Sequence, residues 1–565
     1  MVSRVHDGIV KHIALRFGTS PSRPHLEFDV APITIFVGPN YSGKSMALNE
    51  ILTSCTQIGA HQNQMIIEDI EFHGTEPTIA AAIIDRLRPL SLPNQATPRD
   101  HVLVGAPNRN SWIPERSLLQ ALQSPNAPNL RDVYVQYMAH KVLVLTGTNR
   151  ITLINQQQAG DLQAASTSSF QRLFHDDDLR RRLSAIIHRA FGLYLVIDPT
   201  NLGSLRLRLS KTQPQSTEIE RGLTAASVEF HRAATDISAT SDGAKAFVGV
   251  LTEILTGDPD VLLIDEPEAF LHPALTHTLG NEIANTLATT RKQIFAATHS
   301  PQFLTGCIQS GLPVNVVRLT YRDGVASARL LPSAELTKLM RNPLLRSIGV
   351  LSGLFYESVV VTEGDPDRAF YQEINERMLR AQGDGGIPNC LFLNAQNKQT
   401  IPTIVATLRR LGIPAASVYD IDMVKDGGST ATSYLESGGV PELSRQPLTQ
   451  MRAAVLRALE KSGRDFKTCG GIDLLAKGDR EAACNYFDQL ENYGVFVVRC
   501  GELESWLKWL GVPGHGPSWL VEMFERIGED PNEPEYLSAD TVDVWEFMDH
   551  IRAWLLDPNR RGIPD

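Results

Sequence analysis

The chain has 565 residues, 42% of them apolar, and a formal net charge of −11. That size exceeds what one hydrophobic core usually holds, so two or three domains are expected. The acidic balance is not the basic footprint of a general nucleic-acid binder, so any role on DNA has to rest on a particular site rather than on bulk charge.

Up to about residue 50 the pattern predicts short strands (HIALRF, LEFDV, ITIFVG) and then a turn into a helix beginning near Lys44. Between strand and helix lie Gly38, Pro39, Asn40, Tyr41, Ser42, Gly43, Lys44 and Ser45, which fit GxxxxGK[ST] in the context that motif requires. Backbone N–H groups of such a loop close round phosphate oxygens, Lys44 reaches the outer phosphates, and the Ser45 hydroxyl binds Mg²⁺.

The stretch from about 60 to 230 reads as a mixed intervening lobe, with Pro/Asn-rich loops, a helix in LRRRLSAIIHRAF and a strand in LGSLRLRLS. From 236 to 304 the order is helix, apolar strand VLLID, helix, strand QIFAAT, the alternation that builds a parallel sheet. The first of these strands delivers Asp265 to a Mg²⁺ shell and Glu266 to an attacking water. A second βα series runs through SVVVTEG, NCLFLNA, TIPTIVATLRRLG, AASVYDID and YGVFVVRCGELE, with a helical insertion over about 426–490. The tail beyond Gly511 reads as a small helical cap holding Trp519, Trp545 and Trp554.

No run of eighteen or more apolar residues occurs, and the N-terminus lacks an apolar segment followed by a small-residue cleavage site. The expectation is a cytoplasmic protein with no membrane partner. Cys55, Cys307, Cys390, Cys469, Cys484 and Cys500 are scattered, without zinc spacing or a disulfide framework.

The second series carries acids at its strand tips: Glu363, Gly364, Asp365 and Asp367 after SVVVT, and Asp420 and Asp422 after AASVY. Parallel sheets place ligands outside the carboxyl ends of their strands, and oxygen-rich sets of this kind suit Mg²⁺ or Mn²⁺. The plain structural alternative is helix N-capping by Asp365 or Asp367 beside solvated strand ends.

GPNYSGKS, LLIDEPEAFLHP and ATHSPQFL resemble the ATP-binding ABC/SMC-type ATPases, more closely the group found in OLD-family nucleases. The resemblance implies that His299 senses the γ-phosphate. It also implies that a signature loop, here Ser241, Asp242 and Gly243, caps the nucleotide of a second subunit in a homodimer, although Ser-Asp-Gly at a helix start is also an ordinary N-cap. Gln57, Gln62 and Gln64 are all open as the Q-loop glutamine.

TEGDPDRAFY spaced from VYDID by one βα unit resembles the Toprim domain, and the ATPase-then-Toprim order resembles the OLD family and the Gabija-type nuclease layout. By that resemblance residues 1–345 are the ATPase, 355–510 the Toprim nuclease and 511–565 the cap. Glu363, Asp367, Asp420 and Asp422 hold metal, and Glu502 and Glu504 assist a second metal, with Glu504 favoured as the residue facing the site. The family usually has a lysine beyond the last Toprim strand; Lys508, His515 and Arg526 are the substitutes to consider. The implied function is an ATP-regulated, divalent-metal-dependent DNA endonuclease in defence against foreign DNA, with a helicase or other subunit as a further partner. The competing reading is an ATP-driven sensor or scaffold whose second domain binds nucleic acid or a partner without cutting. The tyrosine domain of a topoisomerase and the zinc context of a primase are not found.

Overall fold

In a computed structural model, residues 8–20, 25–59, 63–88, 90, 98–106, 109–161, 163, 166–322, 324–381 and 385–563 are described. The chain divides into two compact units, Met1–Ser333 and Ala334–Asp565. Among the described residues no helix is long and apolar enough to cross a membrane.

The first unit is organised on a six-stranded sheet. Its spatial order is Val325–Leu330, Val314–Arg322, Ile33–Val37, Gln293–Ala297, Val261–Asp265, Val142–Leu145. All neighbours are parallel except the Val325–Leu330 hairpin strand at one edge. Ile33–Val37 and Gln293–Ala297 are buried at every position, as expected of strands covered on both faces. The stretch read as an intervening lobe is threaded into this sheet, because Val142–Leu145 supplies its far edge in register with Val261–Ile264. The rest of that stretch includes an antiparallel pair, Tyr194–Asp198 with Ser204–Ser210, beside the amphipathic helix Asp177–Phe191. A three-stranded antiparallel sheet (Leu26–Asp29, Val10–Leu15, Ile67–Phe72) shares one core with the main sheet through Ile13, Leu15, Ile70, Phe36 and Phe295.

The second unit is built on a four-stranded, wholly parallel sheet in the order Cys390–Asn394, Ser358–Thr362, Ala415–Asp420, Val495–Val498. Ser358–Thr362 comes first in the chain yet lies inside, so the winding reverses between it and Ala415–Asp420. A crevice opens at such a reversal, outside the carboxyl ends of the two strands. The inserted segment forms the helices Gly428–Ser437, Glu442–Lys461 and Lys477–Glu491.

The tail does more than cap. Its helices Pro517–Ile527 and Val544–Leu556 bury Trp519, Trp545 and Trp554 in one cluster with Phe370, Tyr371 and Phe496 of the sheet and its first helix. Two buried arginines fix it in place. Arg377 donates to the carbonyls of Ile527, Leu537 and Gly528, and Arg409 donates to Ala415, Gly438 and Gly562. Carbonyl-rich surroundings of this kind satisfy a guanidinium that burial would otherwise penalise.

Candidate functional site

The first site lies in the sheet of the first unit. Gly38 ends its central strand at φ 144°, and a Cβ there would collide with the Leu319 carbonyl oxygen on the neighbouring strand. Gly43 starts the helix Lys44–Thr56 from the left-handed region. Pro39 and Ser42 are buried in the loop and Asn40 is exposed. Lys44 is folded onto this loop: Nζ donates to Gly38 O at 3.0 Å, Pro39 O at 2.6 Å and Ser42 Oγ at 3.4 Å. Burial lowers its pKa to about 8, against the raising pull of Asp265, Glu266 and Glu268. An ammonium held on carbonyl dipoles with no anion beside it is the arrangement a polyphosphate would complete.

Ser45 Oγ donates to Asp265 Oδ1 at 3.0 Å, so the loop and the strand end meet where a divalent cation would bind both. Glu266 follows with φ 50° and its N–H donates to Ala297 O. Beside it Glu268 accepts from the His299 N–H and from Thr298 Oγ1, each at 2.7 Å. Its pKa is raised by burial, which those two hydrogen bonds oppose. The His299 pKa is lowered, first by burial and then by the Lys44 charge, so its ring is held neutral at pH 7. Arg150, itself buried, donates to the Asp265 carbonyl at 2.6 Å and steadies the strand end. Arg150 and Glu268 carry no motif that spacing alone picks out.

The proposed signature residues act locally in the single chain. Ser241 caps the helix Asp242–Thr256 by accepting from Ala244 N–H, and Gly243 packs where a Cβ would strike the Phe270 carbonyl. Gln64 is buried, its Nε2 bonded to Glu50 O and Ser54 Oγ, while Gln57 is the exposed C-cap of the loop helix. Gln62 lies outside the described residues.

The second site occupies the crevice of the second unit. Glu363, Asp420 and Asp422 each bring a carboxylate oxygen within 4.8 Å of the other two. Glu363 Oε1 accepts from the Asp420 N–H at 3.1 Å, which ties the two strand tips together. Burial and then the Asp420 charge push the Glu363 pKa up to about 8; Asp420 itself is raised chiefly by burial. Asp367 stands outside this triad: its Oδ2 accepts from Gly364 N–H at 3.0 Å, closing the first turn of Asp365–Arg380, and burial pushes it up to about 7. Asp365 faces Arg368 instead. Glu502, Glu504 and His515 form a second group on the same distance criterion.

Two cations that spacing does not reveal sit among these acids. Lys467 Nζ lies 2.8 Å from Asp420, 3.6 Å from Asp422 and 3.9 Å from Glu502, and Lys398 Nζ lies 3.0 Å from Asp422 and 3.4 Å from Asp426. Burial alone would lower the Lys467 pKa, but Asp420, Asp422 and Glu363 more than reverse it. Lys467 comes from the inserted segment. Gly501, at φ 135°, lets it approach, since a Cβ there would strike the Lys467 carbonyl oxygen. Of the substitutes expected from sequence, His515 reaches Glu504 and Arg526 lies 3.8 Å from Glu522, while Lys508 sits in a short helical turn. Buried carboxylates that repel one another and already hold two ammonium groups fit a hard divalent cation.

Residues 154–305 match the family model described as "AAA domain, putative AbiEii toxin, Type IV TA system". No curated protein matches the chain. Similar solved structures include an SMC head bound to the C-winged helix domain of ScpA, with 16% identity and a TM-score of 0.34 over 59% of this chain and 99% of that one. The SMC head domain from Thermotoga maritima has 13% identity and a TM-score of 0.30 over 57% and 99%. An SMC head with an extended coiled coil from Pyrococcus furiosus has 13% identity and a TM-score of 0.32 over 59% and 98%. The matched segment holds Asp265, Glu266 and His299, on the sheet that also presents the phosphate loop. The first unit is therefore an ATP-binding domain of the ATPase class.

Proposed function

We propose that this chain is an ATP-regulated, divalent-metal-dependent DNA endonuclease, an ABC/SMC-type ATPase over residues 1–345 joined to a Toprim domain over residues 355–510, with the OLD-family layout. The observation that carries the nuclease half is the position of Glu363, Asp420 and Asp422 at the winding reversal of a parallel sheet, within 4.8 Å of one another. Divalent ions held there, Mg²⁺ or Mn²⁺, would activate water and stabilise the leaving oxygen of a phosphodiester. Glu363 and Asp420 orient each other through their 3.1 Å hydrogen bond, and Lys467 stands ready to meet the phosphate charge. In the ATPase half Lys44 binds phosphate, Ser45 and Asp265 bind the nucleotide's Mg²⁺, Glu266 orients water and His299 reads the γ-phosphate. Ser241 and Gly243 serve the nucleotide of a second copy in a homodimer. Defence against foreign DNA, with a further subunit such as a helicase, is the setting this layout suggests.

One observation favours a second reading, an ATP-driven sensor or scaffold: Lys467 and Lys398 already neutralise part of the acidic centre. Purified full-length protein incubated with supercoiled plasmid, Mg²⁺ or Mn²⁺, and with or without ATP separates the two. Metal-dependent nicking or linearisation that Asp420→Ala abolishes is the expected result, and intact plasmid under every condition overturns the nuclease.

A further inference from the structure

Glu502, Glu504 and His515 differ in chemistry from the Glu363 triad. They offer two carboxylates and one imidazole, all within 4.8 Å of one another. Glu502 is 6% exposed, makes no side-chain capping hydrogen bond, and has its nearest cation, Lys467 Nζ, at 3.9 Å. A buried carboxylate so thinly satisfied calls for a further positive partner. Glu504 is held from the far side: Oε1 accepts from the Gly516 N–H at 2.6 Å and lies 2.7 Å from His515 Nδ1. His515 itself stands between Gly514 and Gly516, both left-handed, in a loop that turns the ring back over Glu504. Nothing apolar holds the ring there, since its side chain is 74% exposed. The proton between His515 and Glu504 is the one that a bound ion would replace.

We propose that Glu502, Glu504 and His515 form a mixed nitrogen–oxygen site for a first-row transition ion of the Co²⁺/Zn²⁺ kind, separate from the oxygen-only Glu363–Asp420–Asp422 site that takes Mg²⁺ or Mn²⁺. Imidazole draws such ions, whereas all-carboxylate sets suit Mg²⁺, Ca²⁺ and Mn²⁺. The inference deepens the two-centre reading of the second unit and rests on it, but its test uses neither DNA nor turnover.

Metal-free full-length protein without nucleotide is titrated with Co²⁺, followed by its visible absorption, and separately with Mg²⁺ by calorimetry. In His515→Gln the Co²⁺ affinity of one site falls by about tenfold or more while Mg²⁺ binding is unchanged. In His515→Asp, which restores an oxygen ligand, the Co²⁺ preference is lost and the acidic pair still binds. Glu363→Gln weakens Mg²⁺ and leaves the Co²⁺ band intact. Unchanged Co²⁺ binding in His515→Gln, or equal loss of both ions, overturns the proposal. Loss of plasmid cleavage with the Co²⁺ band intact would instead count against the nuclease reading alone.

Discussion

Lys467 Nζ lies 2.8 Å from Asp420 Oδ2, so an ammonium from the inserted segment neutralises the carboxylate that ends the Ala415–Asp420 strand. Removing it leaves Asp420 and Asp422 facing Glu363 with one cation fewer. Lys467→Ala should lose about 1–2 kcal/mol in metal-free buffer, a figure reduced from a fully buried pair because Lys467 is partly exposed. Added Mg²⁺ should recover most of it by binding the native state. Thermal unfolding in EDTA and in Mg²⁺ reads both, and an unchanged midpoint in EDTA would show that the lysine is idle.

Binding and turnover should separate in the first unit. Lys44→Ala should bind ATP at least tenfold more weakly, since the outer phosphates lose their cationic partner, and Glu266→Gln should keep its affinity while hydrolysing slowly. Nucleotide affinity and phosphate release on the same preparations check this.

The two centres draw on different side chains, so they should fail separately. Glu363→Ala and Asp420→Ala should each lower DNA cleavage by a hundredfold or more, on the order expected when a metal ligand is removed, with ATP hydrolysis within about twofold of the parent. A variant that cuts at the parental rate would remove that residue from the metal centre.

Asp198 gives the first unit an acid limit. Burial would raise its pKa, but hydrogen bonds from Thr200 and Arg208 bring it down to about 2, with Arg206 also 2.8 Å away. A depressed carboxylate stabilises the fold above its unfolded pKa and loses that contribution as pH falls towards the folded value. Stability should therefore drop by about 1–2 kcal/mol between pH 4 and about 2 through this group. Denaturant midpoints for the parent and Asp198→Asn across that window should converge at the acid end.

Local motifs were legible because the chemistry and its scaffold are neighbours in the chain. GPNYSGKS carries strand, turn and helix together, and TEGDPD and YDID each end a strand whose apolar run announces it. Lys467, Lys398 and Arg150 were not legible: each is an isolated cation brought to its target by segments whose path only the folded sheet defines. The same holds for Asp367, where the spacing that suits a metal ligand equally suits the first turn of a helix, and the Gly364 N–H takes it. The edge strand Val142–Leu145 is short and sits in a region of mixed pattern, so its place beside Val261–Asp265 came from pairing rather than periodicity.

Trp519, Trp545 and Trp554 pack into the core of the acidic sheet, and Arg377 and Arg409 bond to backbone carbonyls of the tail. A chain cut short before residue 517 would therefore leave the crevice without the floor that keeps its strands in place. Early termination during synthesis should yield an inert second unit rather than one that works without control. For a protein whose acidic centre is read as cutting DNA, completion of the fold by the last segment made is a safeguard: no catalytic geometry exists until that segment has left the ribosome.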